Sequence, residues 1–334
     1  ISGTSNVNAE SNITMGNALA SAGISGVGAA IGLAVIANVM DNDILSYIDG
    51  VTINGGSWKV SAKQTDTMKG GLVGANFGGL AVGVNANGVT NVIQDRTKAY
   101  ISNAIINDVT SLDVNAKSDQ TLDFNALSVA ISGLAGVNVS ALVNTVKNEL
   151  YAGITDSTVS SNGAVNVTTA QATTVKAVYA NVSGGVFAAG TGSIVNVLTN
   201  KITAEIKNTE ITKSSSIKVD AQNKTNVTSD NYTAAAGGFA GGLSVNVNEI
   251  ENEVKAQINN SGKTISTSGA LKVNASEDFD LTAKAGVAAG GGVSAAGSSN
   301  VNIINNAVLA EINSDSAVNV GSLDVDASSD LNIN

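Results

Sequence analysis

Apolar and polar residues alternate along much of this chain, and the alternation keeps returning in the same phrases. Ile202-x-Ala204-x-Ile206, Val254-x-Ala256-x-Ile258, Val308-x-Ala310-x-Ile312 and Ile217-x-Val219-x-Ala221 each set apolar side chains two residues apart. That spacing predicts strands with one face buried and one wet, since successive side chains point to opposite sides of a sheet. The residues between are mainly Thr, Asn, Lys, Glu and Asp, as an exposed face requires. Between the phrases lie turn-forming clusters such as 157–163 and 259–262, rich in Ser, Asn and Gly. Helix caps and a sustained 3.6-residue period are missing, so the prediction is an all-β molecule.

The phrases are periodic. An apolar-x-Val-x-Ala phrase, with a weaker copy ending in Thr169, places its valines at Val7, Val60, Val114, Val167, Val219, Val273 and Val325, in steps of 52 to 54 residues. A second phrase, Asn-x₃-Asn/Asp followed by Ala-x-Ile (Ser46 in place of Ala in the first copy), begins at Asn38, Asn91, Asn144, Asn196, Asn248 and Asn302 with the same period. Two independent phrases in one register define six repeats, approximately 7–59, 60–113, 114–166, 167–218, 219–272 and 273–324. Repeats of this length, with no linker between them, predict one elongated stack in which neighbouring units share a core.

A parallel, right-handed β-solenoid satisfies this pattern, each strand pairing with its equivalent in the next coil. The recurring asparagines would then stack as a side-chain amide ladder, Asn38, Asn91, Asn144, Asn196, Asn248 and Asn302. About half of every repeat is a tract of Gly, Ala and small β-branched residues, for example residues 69–85 and 232–248. Glycine marks close backbone approach, so this tract is expected to form a second coil with its sheets pressed together. Two coils per repeat give about twelve coils and a rod of roughly 58 Å; three shorter coils per repeat would give roughly 86 Å.

Composition narrows the chemistry. The chain has no Cys, His or Pro and is 3% aromatic, so the usual ligands of zinc, haem and iron–sulfur groups and the bases of serine and cysteine catalysis are missing. No cofactor or metal site is expected. A net charge of −10 disfavours nucleic acid and anionic lipid. The chain opens at Ile1 without a secretion-signal pattern and its two ends are in the same phase of the repeat, which reads as a piece of a longer array.

Several segments invite sharper readings. Residues 15–40 carry no charge over a bilayer-spanning length, but their counterparts in other repeats carry charges and alternate as strands do. The acidic groups Glu249/Glu251/Glu253 and Glu277/Asp278/Asp280 lie apart from Arg or sugar-stacking aromatics, which argues against a glycosidase or lyase built on paired carboxylates. Large residues that depart from the repeat, namely Trp58, Tyr100, Tyr151, Tyr179 and Tyr232, are the candidate contact residues, because exposed aromatics make favourable binding anchors.

Taken together, the Asn-x₃-Asn-x-Val-x-Ala-x-Ile phrase, the Ser/Asn-Gly turn, the apolar-x-Val-x-Ala phrase and the Gly/Ala tract resemble the repeat region of the fusobacterial leukotoxin family of filamentous adhesins. The resemblance covers essentially the whole chain and rests on structural positions, so it transfers no catalytic or ligand residue. It implies export through an outer-membrane pore of type V secretion and a location on the bacterial surface or outside the cell. The function expected is that of a non-enzymatic rod that attaches to a host cell-surface protein or glycan through spaced, multivalent contacts. A membrane-active toxin segment, its Gly/Ala tracts entering a host bilayer, is the alternative; a carbohydrate-processing enzyme is the third reading.

Overall fold

The computed structural model describes residues 3–334 and contains no helix among them. Each repeat forms two long strands and one short one. The first arm runs Thr4–Ser25, Ser57–Gly78, Ser111–Ser132 and Ala164–Gly184 in successive coils, and the return arm runs Ala30–Asp49, Val82–Ser102, Ala135–Thr155 and Phe187–Lys207. In the next two coils the arms join into the continuous strands Ser216–Asn260 and Ala270–Ser314. Short closing strands, Thr52–Asn54, Ile105–Val109, Thr158–Ser161, Glu210–Lys213, Ile265–Ser266 and Val318–Asn319, complete one end of each coil and form a sheet of their own.

All pairings are parallel, and their register is the sequence period. Val7 pairs with Val60, Val60 with Val114, Val114 with Val167, Val167 with Val219, Val219 with Val273 and Val273 with Val325. A parallel β-solenoid is therefore present, but each repeat is one coil, not two. The six repeats rise through roughly 29 Å at about 4.8 Å per layer, half the expected rod. The Gly/Ala tract does not close a coil of its own. It prolongs both arms, about 20 residues each, to a tight turn such as that between Gly78 and Val82.

The coil is consequently a long flattened loop, three-sided at its base and two-sided along a tongue. In the second coil the inward residues of the first arm read Val60, Ala62, Gln64, Asp66, Met68, Leu72 and Asn76. Those of the return arm read, from the tip, Asn85, Asn87, Val89, Asn91, Ile93, Asp95, Thr97, Ala99 and Ile101. The interior thus passes from an apolar base through a polar layer to an apolar middle and a second polar layer toward the tip. The base and middle are separate hydrophobic clusters, and a small alanine cluster, Ala188, Ala235 and Ala240, lies near the tip. Near the tip the two sheets come very close: the Asn76 amide fills the space that a side chain at Gly32 would need.

Corners are set by local backbone preference. The turn from return arm to closing strand uses Gly50, Asn103, Asp156 and Asn208, all with φ between 46° and 67°. Gly, Asn and Asp adopt this left-handed conformation most readily. The corner residues also bond to the layer above, as in Asn103 N–H to Thr155 O (3.2 Å) and Asn208 N–H to Asn259 O (3.1 Å).

Candidate contact groove and polar interior

A concave strip on the outer face of the return arm, close to the base, is the best-formed candidate site. It encloses about 580 Å³ and spans four layers, lined by Lys98, Tyr100, Glu149, Tyr151, Lys201, Thr203, Glu205, Lys207, Lys255 and Gln257. Outward positions that alternate along one strand meet their equivalents in the next layers, so residues some 52 to 54 apart become neighbours. Tyr100 stacks on Tyr47 one layer away, with ring centroids 5.3 Å apart and planes 14° from parallel.

The next position in that column is Gly153. A Cβ there would collide with the ring of Tyr151, which leans across the glycine from its own column. Tyr151 Oη donates to Glu205 Oε2 (3.3 Å), and Gln257 Nε2 donates to Glu205 Oε1 (2.8 Å). Burial, reinforced by the negative charge of Glu205, pushes the Tyr151 phenol far above its ordinary value, so it stays neutral and serves as a donor. Lys98 Nζ bonds Glu149 Oε1 at 2.7 Å, and Lys255 pairs with Glu253. Lys201 and Lys207 are exposed and form no ion pair among the described residues.

With Lys98 and Lys255 already paired, Lys201 and Lys207 are the ammonium groups left to face a ligand beside Glu205. Tyr100 and Tyr151 give the strip aromatic contact area for a sugar, and Lys201 and Lys207 can pair with its acidic substituents. Among the described residues, no group of three or more His, Cys, Asp or Glu stands close enough to hold a metal ion. Among the described residues no helix is long and apolar enough to cross a membrane.

The five aromatic candidates separate in space. Tyr100 and Tyr151 meet in the groove. Trp58 is half-buried at the base, where its Nε1–H donates to Gly55 O (3.0 Å) and its ring packs against the apolar cluster. Tyr232 is exposed on the opposite outer face. Tyr179 is 1% exposed and belongs to the middle core, so it is no surface contact: position 179 points inward in an alternation that runs unbroken from Val165. Tyr47, Lys98, Lys201, Lys207, Lys255 and Glu205 were not singled out from sequence. The signal for Tyr47 was its 53-residue spacing from Tyr100.

The asparagine column forms a continuous chain of amides inside the coil. Asn38 Nδ2 donates to Asn91 Oδ1 (2.8 Å), Asn91 to Asn144 (2.9 Å), Asn144 to Asn196 (2.8 Å), Asn196 to Asn248 (2.7 Å) and Asn248 to Asn302 (2.9 Å). From Asn91 to Asn248 each amide donates to the next layer and accepts from the one before, and aligned bonds polarise one another. A second polar layer beside it holds carboxyl groups. Asp66 accepts from Asn42 and Gln64 (both 2.8 Å). Burial, then the adjacent Asp66, push the Asp95 carboxyl up to about 7. Burial likewise raises Glu277 to about 7 against the opposing effect of two amide donors, Asn223 and Asn252. These carboxyls lie inside the coil, where they bridge layers of the scaffold.

Comparison with protein-family models, curated proteins and solved structures finds no match to this chain.

Proposed function

We propose that this chain is a rod segment of a bacterial surface-exposed or secreted filamentous adhesin. On this reading it attaches to host cells through the groove around Tyr100 and Tyr151, and its ligand class is an acidic glycan. The observation that carries the reading is the placement of Tyr100 and Tyr151 in one groove with Lys201 and Lys207, which form no ion pair among the described residues, on a chain of net charge −10. An aromatic platform supplies contact area to a sugar face, and Lys201 and Lys207 supply charge to a carboxylate or sulfate. The cysteine-free composition suits passage through an outer-membrane pore in an unfolded state. The repeat phrases that resemble leukotoxin-type adhesins support the same assignment. Stacked coils would present the groove away from the cell, and several copies on one surface would gain by effective concentration.

The test is titration of the chain with sulfated, sialylated and neutral oligosaccharides by surface plasmon resonance. Acidic glycans should bind at micromolar to millimolar strength, and the double variant Lys201→Glu/Lys207→Glu should weaken that binding at least tenfold. Gly153→Val, which displaces the Tyr151 ring, should weaken it as well while circular dichroism stays unchanged. Absence of binding to every acidic glycan, or binding indifferent to these substitutions, would remove the groove from the assignment.

A further inference from the structure

The tongue of each coil is built in the reverse sense to an ordinary sheet pair. Its inward side chains include the amides Asn85, Asn87, Asn138 and Asn246 with Ser128 and Ser244, while its outward ones are mostly aliphatic. On the return arm this holds over six layers with five outward positions each, from Ile31–Val39 in the first layer to Ala295–Ile303 in the sixth. Glu249 is the one charged residue among these thirty. Ile31, Leu33, Val35, Val139, Leu243 and Ile303 are 46–73% exposed. Arms advance about 3.3 Å per residue and layers about 4.8 Å, so the face measures about 1,000 Å². A monomer's largest apolar patch is typically about 300–600 Å². A stable pair of proteins buries about 800 Å² on each partner.

We infer that this outer face of the return arms docks a second copy of the same chain, sheet against sheet, about a two-fold axis. The area is that of one standard interface. The face is flat and periodic, and the surface with the matching layer spacing and the same lack of charge is the face itself, which makes an isologous contact self-complementary. Two sheets in this arrangement interdigitate about 10 Å apart. The opposite outer face, on the first arms, carries Lys69, Asp123, Lys176, Asp230 and Lys284, so association closes at a pair instead of extending into a stack. A bilayer fits less well, because Glu249 within the face and the charged Asp41, Lys147 and Glu251 in the column bordering it would have to meet hydrocarbon.

Sedimentation equilibrium of the intact chain tests this. The expected species is a dimer, twice the 33.2 kDa of the chain. Val195→Lys, at the centre of the face, should weaken dimerisation at least a hundredfold with the β circular dichroism retained. Because the chain has no cysteine, Ser193→Cys places a single thiol at that centre, and a short bis-maleimide should link two copies. Thr174→Cys on the opposite face should give no such product. If Val195→Lys fails to fold, the thiol pair decides. A chain that stays monomeric at 100 µM overturns the inference, as does a dimer that Ser193→Cys does not cross-link. Monomeric chain that floats with phosphatidylcholine vesicles overturns it in favour of a lipid surface.

Discussion

Replacing Glu277 by Gln should remove a defined part of the pH dependence of stability. The Glu277 side chain is enclosed between layers, 3% exposed, with Oε2 accepting from Asn223 Nδ2 (2.8 Å) and Oε1 from Asn252 Nδ2 (2.9 Å). Burial displaces its carboxyl from 4.5 to about 7 in the folded chain, whereas the unfolded chain titrates near the ordinary value. The folded state therefore holds a proton that the unfolded state releases as pH rises. Any stability from this proton is fully present below about pH 4.5 and is lost as pH climbs through about 7. At about 1.4 kcal/mol per pH unit the full displacement corresponds to about 3 kcal/mol, most of which is lost between pH 5 and pH 9. Asp95 acts in the same direction, but it contributes to wild type and variant alike and cancels in their difference. Urea unfolding followed by circular dichroism at pH 5 and pH 9 measures both chains. The wild type should lose about 2–3 kcal/mol more than Glu277→Gln over that interval. Equal losses in the two chains would refute the assignment of a buried, proton-holding carboxyl at this position.

Two further substitutions probe the scaffold. Asn144→Ala interrupts the amide chain, orphaning the Asn91 donor and the Asn196 acceptor; it should lower unfolding free energy by about 2–5 kcal/mol, and a loss below about 1 kcal/mol in denaturant titration would contradict the ladder's role. Asn103→Ala, at φ 50°, should cost about 1 kcal/mol in thermal or urea unfolding, whereas Asn103→Gly should be close to neutral.

How far the sequence reads through to the structure differs from one part of the coil to another. The base was legible because its alternation has the ordinary sense: Val60, Ala62, Ala99 and Ile101 point inward and Ser61, Lys63 and Lys98 outward. The asparagine column was legible because one residue type recurs at one period. The tongue was expected to close a coil of its own, but its inward Asn, Ser and Gly let the two arms pack directly on each other, with Val, Leu and Ile turned outward and no third side. A polar-in, apolar-out strand has the same period of two as its opposite, and periodicity alone does not say which face is buried. Tyr179 was misplaced because its departure from the repeat outweighed its parity: it lies an even number of residues after Val165, on the inward side of an unbroken alternation.

The period of about 53 residues and the all-β character belong to the sequence alone, because both follow from local spacing that any extended chain would carry. Which residues share a layer, and how many layers each repeat spans, was decided by tertiary pairing. Parallel register sets Val60 beside Val114 instead of beside a residue half a repeat away, since that register stacks identical amides and matched apolar side chains at once. The groove is likewise a product of the stack: Tyr100, Glu205 and Lys255 are up to 155 positions apart in the chain, and only layers about 4.8 Å apart bring them to one surface.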